Sequence, residues 1–341
     1  MRAFITGITG QDGAYLAQYL LSLNYEVHGL VRYTSQGLNT KKLATLVNLD
    51  EVTFHIGDIT DSLRIQKLLN DIQPDEIYNL AALSHVHISF DNPKLALDTI
   101  ALGTLNIVES ARNLGLVNRT KIFQASTSEL FGNSYDAAAL DETSPMNPVS
   151  PYGTAKLYAY HLAKNYRQAY GFHISNGICF NHESPLRGET FVTRKITKAV
   201  AAIKKGQQDC LFLGNLEARR DWGHAKDFVR MMHKMLQQKQ GDDYVIATGK
   251  SYSIREFAVK AFAVAGFDII WQGDAEDEVG IDQSTGKILI KIDPSYKRPN
   301  ELHALVGNPQ KAIDQLGWNP HSITIDNLIR EMVEYDLNLL T

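Results

Sequence analysis

Cysteine is nearly absent from this chain: Cys179 and Cys210 are the two in 341 residues. Both have apolar neighbours, so they read as buried thiols rather than a disulfide, and a reducing compartment is expected. No apolar run reaches about 18 residues, which excludes a transmembrane-helix candidate. Charge of one sign is not in excess either. With 34 Lys+Arg against 38 Asp+Glu the net charge is -4, so neither nucleic acid nor an anionic membrane surface is expected as a partner. Internal repeats, low-complexity tracts and an obvious linker are missing too. The chain enters a strand-like run at Arg2-Ala3-Phe4-Ile5, which leaves no room for a signal peptide; the expected location is cytoplasmic. No metal site is expected.

What is present is an ordinary globular composition, 44% hydrophobic and 21% charged. The length calls for two domains or one large α/β domain with an added lobe. Residues 3–6, 26–31, 52–56, 76–80 and 121–125 read as strands. Residues 15–23, 62–71 and 95–114 carry apolar side chains at helical spacing. This alternation needs crossover connections, so the expectation is an α/β fold: a Rossmann-like, doubly wound parallel sheet with helices on both faces. Residues 1–180 form the expected cofactor domain. After Asn181 the pattern loosens, and 181–341 reads mainly as a second, smaller α/β substrate lobe. Segments near 214–248 return to the first domain, with a short strand at 244–247.

Gly7-Ile8-Thr9-Gly10-Gln11-Asp12-Gly13 follows the first strand and opens the first helix. Glycines let the backbone turn tightly and approach a pyrophosphate, and the helix N-terminus offers free N–H groups to the anion. The position between strand and helix separates this motif from a plain glycine-rich turn. Dinucleotide folds that take NAD commonly place an acid about 20 residues past the turn. Here Arg32 stands at the end of the second strand, followed by Thr34 and Ser35. A cation with hydroxyls suits a 2′-phosphate, so NADP is the expected cofactor. Asp58 and Ile59 would reach toward the adenine. The stretch Leu80-Ala81-Ala82-Leu83-Ser84 would line the pyrophosphate and ribose edge.

Ser150-Pro151-Tyr152-Gly153-Thr154-Ala155-Lys156 reads as a helix start, with Ser150 as cap and Pro151 at the first helical position. Tyr152 and Lys156 are four apart and share one helical face. An ammonium near a phenol favours phenolate, so Lys156 is expected to draw Tyr152 from about 10 toward neutrality and make it a general base. YxxxK alone is common in helices. Its company raises it: the fifth strand runs into Ser126-Thr127-Ser128-Glu129, and ligands bind at the carboxyl ends of parallel strands. Thr127 can hydrogen-bond the reacting oxygen. Glu129 adds a second proton-transfer group to a hydride site.

These motifs resemble the extended short-chain dehydrogenase/reductase family, in its branch of GDP-sugar 4,6-dehydratases. The likeness runs nearly end to end. It is most specific over residues 6–16, 124–130, 150–160, 180–196, 214–227 and 296–301. The resemblance implies conversion of GDP-mannose to GDP-4-keto-6-deoxy-mannose, with hydride moved from C4 to C6 and water lost. GDP-D-glycero-D-manno-heptose is the alternative substrate. The resemblance also implies that Asn181 contacts substrate with Ser84 and Val192, and that Lys156, His182 and Arg187 approach the cofactor. Lys195 and Arg220 would hold the pyrophosphate of the GDP-linked sugar, and Arg298 and Glu301 would complete the nucleotide pocket. A homodimer or homotetramer is implied. The chain departs from the branch at Tyr33 and Thr34, at Leu83 in place of glutamine, at Leu95 in place of tyrosine, and in a loop one residue longer between Glu129 and Tyr152. A 4-epimerase or reductase on the same fold would share Tyr152 and Lys156 without needing Glu129. A non-catalytic NADP sensor would need none of the three.

Overall fold

The apolar runs of the first half become the middle of a parallel sheet. The computed structural model describes residues 1–35, 37–133, 139–296 and 300–340. Strands β1 (Arg2–Thr6), β2 (Glu26–Val31), β3 (Val52–Ile56), β4 (Glu76–Asn79), β5 (Lys121–Thr127) and β6 (Ile174–Cys179) are followed by β7 (Asn181–Glu183), β8 (Leu211–Leu213), β9 (Arg219–His224) and β10 (Asp243–Ile246). Seven of them form one sheet in the order β10-β6-β5-β4-β1-β2-β3, every neighbour pair parallel. The order reverses between β1 and β4, which opens a crevice at the carboxyl ends of these strands.

Such a sheet must be covered on both faces. Leu16 and Leu20 of the helix Gln11–Ser22 pack with Met232 and Met235 of Ala225–Leu236 over Tyr78 and Phe123. On the other face, Ile65 and Leu68 of Ser62–Ile72 meet Ile107 of Gly103–Asn113 over Phe4 and Ile122. Phe4, Tyr78 and Phe123 are each 0% exposed. Truncating one buried aromatic of this kind costs about 3–5 kcal/mol, so these rings specify the sheet.

Three local features differ from the sequence expectation. The helix expected over 95–114 is divided into Pro93–Ala96, a π-helical turn at Leu97–Leu102 and Gly103–Asn113. The Thr104 hydroxyl donates to the Ile100 carbonyl at 2.7 Å inside this turn. The wider turn leaves Ile100 and Ala101 in the core while Leu95 and Thr99 line a cavity. Strand β5 runs two residues beyond its expected end, to Thr127. Strand β6 was not legible because Ser175, Asn176 and Gly177 interrupt its apolar residues. Gly177 is needed there, since a Cβ would sit 2.7 Å from the Phe123 ring, and the Asn176 amide donates to Asp243 at 2.9 Å.

The remaining strands are β11 (Ser251–Ser253), β12 (Ile269–Gln272), β13 (Val279–Asp282), β14 (Ile288–Ile292) and β15 (Ala304–Leu305). They build two small sheets, one of β7, β9, β11 and β15, the other of β12, β13, β14 and β8. A second core of Ile196, Val200, Trp222, Phe257, Phe262, Ile329 and Met332 joins the helices Val192–Lys204, Ile254–Val264 and Ile325–Leu339. Strand β9 is common to both regions: Asp221 accepts from the Thr248 and Gly249 N–H groups at 2.8 and 2.9 Å, just beyond β10. Cys179 is buried and Cys210 half-buried; both are free thiols. No helix among the described residues is long and apolar enough to cross a membrane.

Candidate active site

The glycine turn sits where the sheet order reverses. Gly7 has φ +72°, and a Cβ there would lie 3.0 Å from the backbone of Leu80 and Ala81. At Gly13 a Cβ would lie 2.4 Å from the Gly7 carbonyl. Any side chain at either position would therefore fill the cradle or push β1 away from the helix. Gly10 caps the helix with no side-chain hydrogen bond, so the first-turn N–H groups stay available to an anion.

A cavity of about 400 Å³ opens above this turn. Its wall includes Gly7, Thr9, Gly10, Gln11, Asp12 and Gly13, then Arg32, Asp58, Ile59, Leu80, Ala82, Ser84 and Arg187. Those are all but two of the positions singled out for the cofactor. The exceptions are His182, which reaches the cavity through Asp12 and Gln11, and Lys156. The shape and donors fit an elongated dinucleotide, with the helix N-terminus for its phosphates and the apolar Leu30, Val31 and Ile59 for a base.

Among the side chains on this wall that sequence reasoning missed, two are polar. Lys42 comes from the short helix Lys41–Ala44, and Thr99 from the π-helical turn. Lys42 is held below its ordinary value by burial, then by the charges of Arg187 and Arg194. This mutual repulsion of cations makes the cavity an electropositive one that an anionic ligand would relieve. Nothing in the local pattern around Lys42 marks it, because it reaches the turn through tertiary packing alone.

The candidate proton-transfer residues converge between β5 and the helix Pro151–Tyr170. Ser150 caps that helix by accepting from Gly153 N at 3.0 Å, and Pro151 occupies its first turn. Thr127 ends β5, and its Oγ1 accepts from Glu129 N at 3.2 Å, which fixes the strand exit. The Tyr152 ring is 8% exposed. The Lys156 ammonium lies 5.9 Å from the centroid of that ring and donates to the Ala125 carbonyl at 2.7 Å.

The electrostatics depart from the expected phenol–ammonium coupling. Burial pushes the Tyr152 phenol well above its ordinary value; the Thr127 hydroxyl opposes this and the Glu129 charge adds to it. Burial pulls Lys156 down to about 8. In the folded chain, desolvation of each group is the largest influence on it. None of Thr127, Glu129, Tyr152 or Lys156 lines the dinucleotide cavity or its neighbour.

That neighbour is a cavity of about 620 Å³ and shares Arg187 and Phe191 with the first. Its wall carries Asn181, Val192, Lys195, Arg220 and Glu301, five of the positions singled out for substrate; Ser84 lies on the wall of the first cavity. Arg298 lies outside the described residues. The Arg187 guanidinium stacks 3.7 Å from the Phe191 centroid and pairs with Glu183 at 3.1 Å. The Lys195 ammonium sits 3.1 Å from the centroid of the Tyr296 ring. Arg220 donates to the Leu302 carbonyl at 3.0 Å and faces Glu301 at 3.7 Å. Cations on an aromatic-lined wall, with the Glu301 carboxylate among them, are donors and acceptors that a nucleoside diphosphate requires. His85, Glu183, Trp222 and Tyr296 also line this wall and were not singled out from the sequence.

Comparison with known proteins agrees with this geometry. A family model described as GDP-mannose 4,6 dehydratase matches residues 4–332. A GDP-mannose 4,6-dehydratase of Sinorhizobium fredii (strain HH103) is 50% identical over 343 residues, covering 99% of this chain and 97% of that one. A GDP-mannose 4,6 dehydratase of Homo sapiens is 48% identical over 344 residues, covering 99% and 92%. Among solved structures, the UDP-glucose 4-epimerase of Thermus thermophilus in complex with NAD shares the fold with a TM-score of 0.81, at 24% identity over 98% of this chain and 99% of that one.

Proposed function

Because the chain belongs to the GDP-mannose 4,6-dehydratase family, we propose that Thr127, Glu129, Tyr152 and Lys156 carry out the conversion of GDP-mannose to GDP-4-keto-6-deoxy-mannose. The enzyme is a hydro-lyase. The observation that carries the assignment of residues is their convergence at the carboxyl end of β5. The Thr127 hydroxyl meets the Tyr152 phenol, and the Glu129 charge acts on the same phenol.

A bound nicotinamide supplies a hydride acceptor and later a donor, with no net redox change. Tyr152 takes the proton of the sugar 4-hydroxyl, while Thr127 holds that oxygen in place. The resulting 4-keto group acidifies the C5 proton, which Glu129 removes. Glu129 then delivers a proton to the departing 6-hydroxyl, and water leaves. A proton from the Tyr152 phenol at C5 matches the hydride at C6 and restores both groups. Lys156 keeps a positive charge 5.9 Å from the centroid of the Tyr152 ring, which partly offsets the burial that holds the phenol neutral.

The wall residues Gly7, Thr9, Gly10, Gln11, Asp12, Gly13, Asp58, Ile59, Leu80, Ala82 and Ser84 would hold the cofactor. Arg32, with Thr34 and Ser35, supports NADP over NAD. Asn181, Val192, Lys195, Arg220 and Glu301 would hold the GDP-linked sugar, bringing residues 181–341 against the domain formed by 1–180 and segments near 214–248. Two free thiols support a reducing, cytoplasmic location. A homodimer or homotetramer is supported by exposed Leu97, Leu102 and Tyr158 on adjoining helices, and light scattering tests it.

The decisive experiment is side-by-side turnover of GDP-mannose and GDP-D-glycero-D-manno-heptose with catalytic NADP. A 4-keto-6-deoxy product from GDP-mannose, at the higher kcat/KM and without net NADPH consumption, is expected. Faster turnover of the heptose moves the substrate assignment. A 4-epimer or a stoichiometric loss of NADPH removes the dehydratase reading.

A further inference from the structure

Two ring nitrogens of one histidine face two acceptors below the glycine turn. Nδ1 of His182 lies 2.7 Å from the Phe180 carbonyl, and Nε2 lies 2.9 Å from Asp12 Oδ2. A neutral imidazole has one N–H and can donate to only one of them. Serving both requires one more proton, on the ring or on the carboxyl. The surroundings decide which. Asp12 Oδ1 also accepts from Gln11 Nε2 at 3.0 Å, and the charges of Arg187, Lys42 and Lys156 lie within reach of its carboxyl. A carboxyl among cations and donors is ionised. The additional proton therefore belongs to His182.

His224 provides the contrast. Its Nε2 also lies beside a carboxylate, Glu331 Oε2 at 3.0 Å. Its Nδ1, however, accepts the Lys226 backbone N–H at 3.0 Å. One proton is enough there.

The groups packed around His182 leave no competing anion. Phe228 of the helix Ala225–Leu236 stacks on the ring with centroids 4.5 Å apart. Asp12 reaches it from the helix Gln11–Ser22, and Arg187 adds a positive charge from the loop after β7. On its own strand stand Asn181 and Glu183, whose carboxylate is taken by Thr193 at 2.6 Å and Arg187 at 3.1 Å. The His182 side chain is 12% exposed.

This arrangement resolves a conflict in the turn. Asp12 lines the dinucleotide cavity in the first turn of a helix that must meet a pyrophosphate. An uncompensated carboxylate would repel that anion. We propose that His182 is a positioning residue held as an imidazolium, which neutralises Asp12 and fixes the Gln11-Asp12-Gly13 turn for the cofactor's pyrophosphate. Gln11 ties the same pieces together: it donates to the His182 carbonyl at 3.0 Å and accepts from Ser184 Oγ at 2.7 Å. The inference rests on the cavity's being a nicotinamide dinucleotide site.

Two measurements on the full chain test it. The first is NMR of the chain with 13C-labelled histidine, the His182 signal being assigned by its loss in His182→Gln. The signal should stay at the imidazolium position at pH 7, where an ordinary histidine, near about 6.5, is mostly neutral. In Asp12→Asn it should titrate at lower pH. A neutral His182 at pH 7 overturns the proposal. The second is calorimetric binding of NADP and NAD. His182→Gln should weaken both about tenfold, roughly the effect of 1.4 kcal/mol. The Asp12→Asn, His182→Gln double variant should recover most of the loss, because the stranded charge is gone. A double variant as weak as the single one overturns the electrostatic role. Binding of neither dinucleotide by the unaltered chain would refute the cofactor reading, while the NMR signal still decides the protonation of His182.

Discussion

The Lys156 ammonium donates to the Ala125 carbonyl at 2.7 Å rather than to the Tyr152 phenol. The Gln124 amide donates to that same carbonyl at 3.1 Å. Gln124 in turn accepts from Asn79 at 2.7 Å, and Asn79 accepts from Thr6 at 2.8 Å. A buried polar network thus runs from the helix Pro151–Tyr170 beneath β5 and β4 to the end of β1, next to the glycine turn. It sets where the lysine stands.

This placement makes Lys156 a stability cost. An unfolded lysine titrates near about 10.4, and the folded Lys156 is pulled down to about 8. Between these values the unfolded chain holds more protons, so stability rises with pH across that window, and the buried charge costs stability below it. Lys156→Met should therefore be inactive yet more stable at pH 7 by roughly 1–3 kcal/mol. Its advantage should shrink above pH about 9. Urea melts at both pH values check this, and equal stability at pH 7 would rule out burial of the charge as the cause.

Glu129→Gln separates oxidation from elimination. The amide keeps its volume and loses the proton-transfer role, so kcat should fall about 10²–10⁴-fold. Cofactor affinity should stay within about threefold, because Glu129 lies outside the cofactor wall. Reduced nicotinamide should build up on the enzyme in a single turnover, since hydride leaves C4 but C6 never becomes its acceptor. Near-normal turnover would remove Glu129 as the acid/base group.

Arg32 and Lys42 line the same cavity. Arg32→Ala should weaken NADP about tenfold and leave NAD nearly unchanged, as expected for a partner of the 2′-phosphate alone. Lys42→Met should weaken both by a similar factor, as expected for a charge facing the shared pyrophosphate. Calorimetric titration of each variant with each cofactor gives the ratio. An unchanged ratio for Arg32→Ala would end the case for NADP selection by this residue.

Arg194 and Asp336 form a buried ion pair between the helices Val192–Lys204 and Ile325–Leu339. Removing one partner strands a buried charge, so Arg194→Met should cost about 3–5 kcal/mol in denaturant melts. Adding Asp336→Leu should recover much of it. Val192 and Lys195 at the start of the same helix line the cavity proposed for the nucleotide sugar. The single variant should therefore also raise KM for the nucleotide sugar more than it lowers kcat.

Much of this site was legible along the chain because its geometry is local. Gly7 needs a positive φ and no Cβ, and Gly13 must let the helix approach the strand; both demands follow from the strand–turn–helix spacing. Tyr152 and Lys156 share a helical face by periodicity, and Thr127 and Glu129 follow from where a strand ends. The strand β6 escaped because Asn176 and Gly177 are chosen for partners elsewhere, the Asp243 carboxylate and the Phe123 ring. The π-helical turn escaped because no periodicity marks one inserted residue.

The amino-acid sequence thus determined most strands of the sheet, the turn and the spacing of the candidate reacting groups, all of which depend on neighbours within a few residues. Only the tertiary structure decided what those groups are electrically. Tyr152 stands above its ordinary value and Lys156 below it because both are buried. Asp12 is held down to about 2, against its burial, by His182, which lies 170 residues away in the chain and 2.9 Å away in space. Protonation depends on desolvation and on charges across space, and neither is set until the chain has folded.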